Sequence, residues 1–567
     1  MDARTRFETR TVGGLPVVQA FLEELELAKV VDELIPWEGD VPLGTLVEIL
    51  ICNRLLAPKA LFRVGEWSEQ ASLTECYGVT QEQLNDDRLG RALERLHRHR
   101  QTAQAALVAN AVKKFKLDVR QIHYDISNVE LFGDYARQLG DEAAPAEATG
   151  SESAGKDPAA GPKPMYGRTK SGRKNVKQIQ FGINVTRDGA VPVAHLPLDG
   201  NIAEVKTHLE NLKLLEAILP HSPRLYTADT KLDAPDNLLA IAANKGRFLC
   251  GGAFQPHLKK EFRKLRRKGA LKKVDYCPKS KSHLPPEQRP EYRAAEVPAL
   301  LEGNVDGRPV RLRYRLIYVW SEAKAEEEAK TRQRHMAKIQ EEIEKVERNL
   351  NKYSLITEAA IVKRLESAKN RYDEGEVFQY QLTKARDGTF SLAWNIDQAA
   401  LRARQAVEGG YLLKTNVPKS QWSPAQALGE YKEQTHVEKR IGNLKGPLAV
   451  APMFLEKPER MDGLLLVLLW ALMVMALMER AVRRSLKGKP MYGLYPENRP
   501  SAAPTAQLIL DRFSTLCIVI VKDRGATFRR LADLTDVQRR LLRYMGVPPN
   551  RLAAFKRKSC AVGASPA

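Results

Sequence analysis

The sequence predicts an α/β fold, a mixed β-sheet with helices on both faces. Three observations predict it. Apolar and polar residues alternate at 178–187 and 190–198, on either side of Asp188-Gly189, a pair typical of tight β-hairpins. Short apolar stretches lead into Asp125 and Asp229, and each predicts a strand. Helical patterns separate the later strands, and strands joined through helices usually pair in parallel.

The order of the elements narrows this prediction. A strand ending at Asp125 precedes the hairpin, which gives three antiparallel strands. A helix, a strand that delivers Asp229, a second helix and a further strand are predicted next, at 203–219, 224–228, 235–245 and 247–251. This is the order of a ribonuclease-H-like core. The resemblance to that fold implies that the first two acids lie on adjacent central strands and that a later helix supplies a third. The first part of this core is assigned to 118–254.

The region before the core, residues 1–117, is predicted to be helical. Apolar residues recur at helical spacing in 17–34 and 43–56, and Asp86-Asp87 suits the start of another helix. Arginine and histidine residues crowd 88–100, which favours a DNA-binding module. A helical bundle that only packs on the core is the alternative. No zinc-finger spacing or helix-turn-helix signature decides between them.

A loop interrupts the first part of the core. Residues 141–164 are rich in Ala, Pro, Gly and Ser and contain no large apolar side chain. We therefore predict a mobile loop, which extends to residue 175 when the following basic residues are included. Those basic residues are interpreted either as contacts to a DNA backbone or as an ordinary solvated loop.

The stretch 255–405 is longer than a bare core needs, and it is predicted to be an insertion domain. It contains a basic patch at 259–273, strand-like runs at 310–320 and 389–396, and a charged helical hairpin at 321–372. An intramolecular hairpin is preferred to a dimeric coiled coil because the heptads are not sustained.

The second part of the core is assigned to 406–487, and a C-terminal region with a tail to 488–567. The apolar residues 464–478 would form a helix about 22 Å long, shorter than the roughly 30 Å hydrocarbon layer of a membrane. A helix buried against the sheet is therefore predicted, and no membrane partner is expected.

Composition limits the classes of partner and compartment. The net charge of +21 favours a polyanion, first of all nucleic acid, with ribosomes and anionic membranes as alternatives. The six cysteines contain no C-x-x-C pair, which is typical of free thiols in a reducing cytosol. The first residues are polar and charged, unlike a signal peptide, and no P-loop pattern is present. A cytoplasmic protein is expected.

One short segment concentrates polar residues at helical spacing. Tyr431, Gln434, Glu438 and Lys445 stand at offsets 0, 3, 7 and 14 in one predicted helix, 431–445. At 100° per residue these positions fall within about 60° of each other. A solvated helix face is the simpler interpretation of such a stripe, and Gly442 weakens the middle of the helix.

Three carboxylates could meet if the predicted fold is right. Asp125 and Asp229 would come from two strands and Glu438 from the later helix. Hard divalent cations prefer oxygen ligands, and Mg²⁺ is held by a few carboxylates with water and substrate phosphate. Two such ions can stabilise the attacking and leaving oxygens of a phosphodiester, so the pattern predicts phosphoryl-transfer chemistry.

These residues resemble those of a known family. Asp125, Asp229 and Glu438 are similar to the acidic triad of DDE transposases. The spacing from Tyr431 to Lys445 is similar to the Tyr-Arg-Glu-Lys signature of the IS4-like group, with Gln434 where that signature has Arg. Blocks that resemble IS1634-type transposases occur at 85–96, 197–202, 410–416 and 495–500. The resemblance covers roughly residues 15–520.

The resemblance implies cut-and-paste DNA transposition. Asp125 would bridge two Mg²⁺ ions, for which Mn²⁺ can substitute, while Asp229 and Glu438 would each hold one. Water would cut the transposon end, and the released 3′-hydroxyl would attack the opposite strand or target DNA. Tyr431, Gln434 and Lys445 would bind DNA.

The partners implied are double-stranded DNA, as terminal inverted repeats and target, and a second copy of the chain in the DNA complex. A bacterial, nucleoid-associated protein is expected. The alternatives are a ribonuclease-H-like nuclease or resolvase, and a non-cleaving DNA-binding protein derived from a transposase.

Overall fold

The computed structural model describes residues 6–131, 161–167, 172–173, 176–220, 224–451, 453–523 and 526–553. Most of the predicted mobile loop at 141–175 lies outside these residues. The chain divides into two compact units. The first is built from 1–247 and 433–567, and the second from 248–432, which contains the predicted insertion at 255–405.

Most of the N-terminal region is helical, and the strands of the large sheet begin at residue 121. The α-helices are α1 (Leu15–Glu24), α2 (Leu27–Leu34), α3 (Leu43–Leu56), α4 (Val64–Gln70), α5 (Leu73–Tyr77), α6 (Asp86–Arg98), α7 (Arg100–Phe115), α8 (Thr207–Ile218), α9 (Pro235–Ala243), α10 (Pro256–Arg267), α11 (Glu322–Arg348), α12 (Glu358–Lys369), α13 (Gln398–Gln405), α14 (Pro424–Lys432), α15 (Thr435–Lys445), α16 (Pro458–Leu486), α17 (Ala506–Asp511), α18 (Asp536–Met545) and α19 (Pro549–Ala553). The strands are β1 (Arg6–Thr11), β2 (Gln121–Leu131), β3 (Met165–Tyr166), β4 (Lys177–Thr186), β5 (Pro192–Leu198), β6 (Leu225–Ala228), β7 (Arg247–Gly252), β8 (Lys272–Lys273), β9 (Tyr292–Val305), β10 (Arg308–Ser321), β11 (Phe378–Lys384), β12 (Phe390–Ile396), β13 (Gly410–Thr415), β14 (Cys517–Asp523) and β15 (Ala526–Leu531).

The first unit contains a mixed sheet. Strand β4 pairs antiparallel with β2 on one side and with β5 and the short β3 on the other, while β2 pairs in parallel with β6. The predicted hairpin around Asp188-Gly189, the three antiparallel strands and the parallel pairing of the two acid-bearing strands are all confirmed.

Helices cover both faces of this sheet. Successive residues of a strand point to opposite faces of the sheet, so the side chains of Tyr124 and His123 lie on different faces. The Tyr124 hydroxyl donates to Thr207 Oγ1 at the start of α8, over 3.2 Å. His123 contacts Gln434, which directly precedes α15, on the other side. The expected mixed sheet with helices on both faces is therefore confirmed.

The apolar segment 464–478 lies within α16, and α16 is the core helix of the first unit. By length and hydropathy it could cross a membrane, but its apolar window is entirely buried in protein. It packs against α1, α3, α6 and β5. The N-terminal helices therefore pack on the core, as one of the two sequence interpretations proposed. Whether they also bind DNA stays a prediction.

A separate three-stranded sheet joins distant parts of the chain. Strand β1 pairs antiparallel with β14, which pairs in turn with β15. The helical prediction for the N-terminal region missed β1. The sequence of β1, Arg-Phe-Glu-Thr-Arg-Thr, contains one large apolar residue. Its partner strand β14 lies about five hundred residues later, so no local pattern predicts the strand.

The second unit contains antiparallel strands in the order β7, β13, β10, β9 and β8. Helices α11 and α12 form the predicted hairpin, packed through Ile339, Ile343, Ile361 and Leu365 together with strands β11 and β12. The strand-like runs at 310–320 and 389–396 are confirmed as parts of β10 and β12.

Strand β2 is longer than predicted. It continues six residues beyond Asp125 to Leu131, so Asp125 lies within the strand and not at its end. Residues 126–131 stay in register with β4 although Ser127 and Asn128 are polar. The buried Asn128 amide finds its partner across the strands, since its Nδ2 donates to Gln178 Oε1 over 2.6 Å. Such a cross-strand bond stabilises a polar residue in a sheet and cannot be seen in the local sequence.

Candidate functional site

Two of the three predicted acids face one small cleft in the first unit. His123 of β2 stands opposite Thr227 of β6 in the parallel register. Two residues further along each chain, Asp125 and Asp229 are therefore level with each other, and both line the cleft. The strands that deliver these two acids are therefore adjacent, as predicted, with Asp125 inside β2 and Asp229 directly after the end of β6.

Backbone groups orient both carboxylates. Asp125 Oδ1 accepts a hydrogen bond from the Ile126 backbone N–H over 2.8 Å. Asp229 follows β6 directly, and its Oδ1 accepts from the Lys231 N–H over 2.9 Å, as the cap of a short helical turn. A carboxylate that is held by a neighbouring N–H is restricted in its rotation, so these bonds limit the directions in which each aspartate points.

A third carboxylate in the cleft was not singled out from the sequence. Glu204 lines it with Asp125 and Asp229, and Glu204 Oε2 lies 3.8 Å from the Lys231 ammonium. Across the described part of the chain, no three His, Cys, Asp or Glu side chains stand close enough together to hold a metal ion. The structure thus brings together a pair of aspartates and does not present a closed cage.

Glu438 lies outside this cleft. It occupies the first turn of α15, is exposed, and does not belong to the residues that line the cleft. Lys445 ends the same helix seven residues later, on the same face and about 10 Å further along its axis. Helix α15 packs on β2 and β4 through a side that includes the buried Val437 and Leu444.

The predicted single helix 431–445 is wrong. Helix α14 ends at Lys432 and α15 begins at Thr435. Tyr431 belongs to the second unit, whereas Gln434, Glu438 and Lys445 belong to the first. The stripe that the spacing suggested is therefore divided between two helices.

Gln434 lies between α14 and α15, and its side chain forms hydrogen bonds with β2. Its side chain is only 8% exposed. The amide Nε2 donates to the Tyr124 carbonyl over 2.8 Å, and Oε1 lies 3.0 Å from His123 Nδ1, which must carry the hydrogen of that bond. These two bonds hold the start of α15 on β2, one residue before Asp125. Both observed contacts lie inside the protein and give Gln434 a positioning role, while contact with DNA stays a prediction.

Arg440 is a second positioning residue that sequence reasoning missed. The guanidinium is 4% exposed and forms an ion pair with Glu479 of α16 at 2.9 Å. It also donates to the carbonyls of Gly189 and Ala190 in the β4–β5 turn, over 3.0 and 2.9 Å. The signal in the sequence is an arginine three residues after Val437, on the buried side of the helix.

His208 is a buried residue that lines the cleft. Asn211 donates to both Asn184 and the Tyr226 hydroxyl, which leaves the Tyr226 hydrogen for His208 Nδ1, 3.1 Å away. Burial lowers the pKa of His208 to about 4, so the ring is neutral at physiological pH with its hydrogen on Nε2. His208 Nε2 is buried without a partner among the described atoms, and His208 lines the cleft with Asp125.

Comparisons with known proteins add little beyond these residues. Residues 7–109 match a family model described as a domain of unknown function (DUF4277). No curated protein matches the chain. A solved structure, the piggyBac transposase synaptic complex with hairpin DNA, is similar at 10% identity and a TM-score of 0.32, over 97% of this chain and 86% of that one. A TM-score of this size does not establish a shared fold.

Proposed function

We propose that the chain is a DDE-type DNA transposase that cleaves transposon ends and transfers them into target DNA. The observation that carries this proposal is the pair Asp125 and Asp229, level on adjacent parallel strands and oriented by backbone N–H groups in one cleft. The sheet order supports assigning the core to the ribonuclease-H-like class, and the resemblance to IS4-like and IS1634-type enzymes supports the activity.

The donor set of the cleft fits a hard divalent cation. Asp125, Asp229 and Glu204 offer only oxygen, and Mg²⁺ is commonly held by one or two carboxylates together with water and substrate phosphate. We assign Asp125 and Asp229 to the metal and propose that Glu438 completes the set when metal and DNA bind, with two Mg²⁺ or Mn²⁺ ions in the full site. Bound metal stabilises charge on the attacking and leaving oxygens of the phosphodiester.

Several side chains of the protein are assigned to phosphate groups of the DNA. We assign the buried His208 Nε2–H, which has no acceptor among the described atoms, to a phosphate oxygen of bound DNA. Lys445 is assigned to DNA phosphate as a point charge, and Tyr431 to a terminal phosphate. The net charge of +21 supports attraction of the duplex over a longer range. Pairing of two copies is proposed because two ends must be joined.

A non-cleaving DNA-binding protein is the second candidate. It is favoured by one observation, the position of Glu438 outside the cleft. Such a protein would bind the same DNA ends but would leave them intact.

The test uses the full chain and labelled duplexes made from the DNA that flanks its reading frame. With Mg²⁺ or Mn²⁺ we expect a cut at each end that leaves a 3′-hydroxyl, followed by joining to a target plasmid, and no cut in EDTA. Binding without cleavage in either metal would favour the second candidate. Cleavage without joining would point to a ribonuclease-H-like nuclease or resolvase.

Changing Gln434 to Ala is expected to weaken both activity and stability. The substitution leaves the Tyr124 carbonyl and His123 Nδ1 without their buried partner, which typically costs about 1–3 kcal/mol of folding free energy. Loss of a group that positions catalytic residues lowers activity by about 10- to 100-fold. Single-turnover cleavage and urea unfolding measure the two effects.

Gln507→Ala is the matched control, because Gln507 is exposed and its amide donates to Asp511, one turn away in α17. If Gln434→Ala cleaves as fast as this control, Gln434 does not position the site.

A further inference from the structure

A second cavity lies in the first unit, away from the cleft. It has a volume of about 350 Å³, within the range of about 300–1,000 Å³ that is usual for small-molecule sites. The end of α3, the segment 58–62, the segment 453–457 and the start of α16 form its walls. The side chains used below are Arg54, Phe62 and Phe454.

Arg54 is a buried cation that has no counter-ion among the residues that the structure describes. It lies in the last turn of α3, lines the cavity and is 6% exposed. Its Nε has no hydrogen-bond partner among the described atoms. Burial lowers the pKa of Arg54 to about 10, with no acidic group contributing, so the side chain remains charged at neutral pH.

The other buried arginines of the described chain are paired. Arg440 contacts Glu479 at 2.9 Å, and Arg480 contacts Asp188 over 2.5 Å. A buried charge is strongly unfavourable unless it is compensated. Arg54 differs from Arg440 and Arg480 because no described carboxylate compensates its charge. An anion in the cavity would provide the missing compensation.

The cavity also presents aromatic faces. Phe62 and Phe454 are 67% and 65% exposed, unusually high for phenylalanine, and both line it. Unpaired nucleic-acid bases stack on such rings. Asp86 and Glu456 also line the cavity and disfavour a site for a bare, highly charged anion. One phosphate with an attached planar ring matches this set better than free phosphate does.

The wall that carries Arg54 is held in place without ligand. Asn53 is fully buried, and its amide donates to the Ala57 carbonyl over 2.9 Å and accepts from the Lys59 N–H over 3.2 Å. These bonds fix the chain from Asn53 to Lys59, so the wall that carries Arg54 is in place before any ligand arrives.

We propose that this cavity binds one unpaired nucleotide of DNA, with its phosphate on Arg54 and its base against Phe62 and Phe454. The inference rests on the proposed function, because it names a place where the DNA substrate would be held. It gives the N-terminal region a specific nucleic-acid contact.

The test measures fluorescence anisotropy of a labelled single-stranded oligothymidylate with the full chain, in EDTA and at several salt concentrations. Arg54→Met should weaken binding about tenfold and make the slope of log K against log salt shallower by about 0.7, the value for one phosphate contact on a single strand. Phe454→Ala should weaken binding by about 5- to 100-fold with an unchanged slope, as expected for lost stacking.

Arg63→Met is the control, because Arg63 is exposed and paired with Glu66 at 3.0 Å. Since Arg54 is unpaired, Arg54→Met should keep or raise the midpoint of thermal unfolding. A lowered midpoint would mean that Arg54 is structural and would overturn the proposal. Oligothymidylate binding by Arg54→Met and Phe454→Ala equal to that of Arg63→Met would overturn it too.

Duplex binding by the wild type separates the two proposals. If the wild type binds and cuts end duplexes while these variants bind oligothymidylate normally, only the nucleotide site is wrong. If the wild type binds neither DNA, the proposed function fails as well.

Discussion

Asp125→Asn is expected to lower strand cleavage by about a thousandfold or more, and Asp229→Asn by a similar factor. An amide keeps the shape of the side chain but removes a charged metal ligand, and metal stabilisation of the transition state is worth several kcal/mol. Each 1.36 kcal/mol corresponds to about a tenfold change in rate. Single-turnover cleavage of a labelled transposon end in Mg²⁺ measures the loss.

Asp236→Asn is the matched control, because Asp236 is an exposed aspartate in the first turn of α9, seven residues after Asp229. The control should cleave like the wild type. Thermal unfolding of all three variants shows whether they remain folded. If Asp125→Asn cleaves as well as Asp236→Asn, the aspartate pair does not carry the chemistry.

The third acid can be identified in the same assay. Glu204 lines the cleft in the structure, whereas Glu438 is exposed on α15 outside it. If α15 supplies the third ligand, as we propose, Glu438→Gln should lose as much activity as Asp125→Asn, and Glu204→Gln should lose much less. The reverse order would reassign the third ligand to Glu204.

The second large effect is on stability, at Asp462 of α16. This carboxylate is fully buried and accepts from His97 Nδ1 at 2.6 Å and from His195 Nε2 at 2.9 Å, with Arg100 at 3.4 Å. It ties α16 to α6, α7 and β5. Breaking a buried charge pair by removing one partner typically costs about 3–5 kcal/mol, so Asp462→Asn should lower the free energy of unfolding by that amount. Urea unfolding at neutral pH measures it.

The same carboxylate predicts a pH dependence. Burial alone would raise the pKa of Asp462, but hydrogen bonds from His195 and His97 and the charge of Arg100 outweigh burial and hold it well below the ordinary 3.8. A folded-state pKa below the unfolded value stabilises the protein above about pH 4, and this stabilisation is lost as pH falls below that value.

Below about pH 4 the free energy of unfolding of the wild type should therefore fall more steeply than that of Asp462→Asn. The control Asp236→Asn should show the same pH dependence as the wild type. If the free energy of unfolding falls equally steeply with acidification in the wild type and in Asp462→Asn, the assignment of this carboxylate is wrong.

Local patterns predicted much of the fold. Alternation around Asp188-Gly189 gave the β4–β5 hairpin, and apolar runs gave the strands that carry Asp125 and Asp229. These predictions succeed because strand alternation and turn chemistry are properties of a few consecutive residues. The apolar run 464–478 likewise predicted a buried helix, and it lies in α16, a longer helix whose apolar window is entirely buried.

Local sequence patterns cannot predict contacts between residues that are distant along the chain. The break before α15 depends on Gln434 reaching His123 and Tyr124 more than three hundred residues earlier. The buried pairing of Arg440 with Glu479 likewise looks like an ordinary charged helix position until the packing is known. At the site, the apolar runs before Asp125 and Asp229 pointed to two aspartates that line one cleft in the structure. Glu204 and His208 line it too, but neither stands in a motif, and both reach the cleft only through tertiary structure.

We propose that Asp125 and Asp229 hold a divalent metal together. The most direct measurement is anomalous diffraction from crystals of the full chain soaked with Mn²⁺, with and without an end duplex. We predict a manganese peak about 2 Å from carboxylate oxygens of both aspartates, joined by Glu438 when DNA is bound. A manganese site elsewhere in the chain, with none between Asp125 and Asp229, would contradict it.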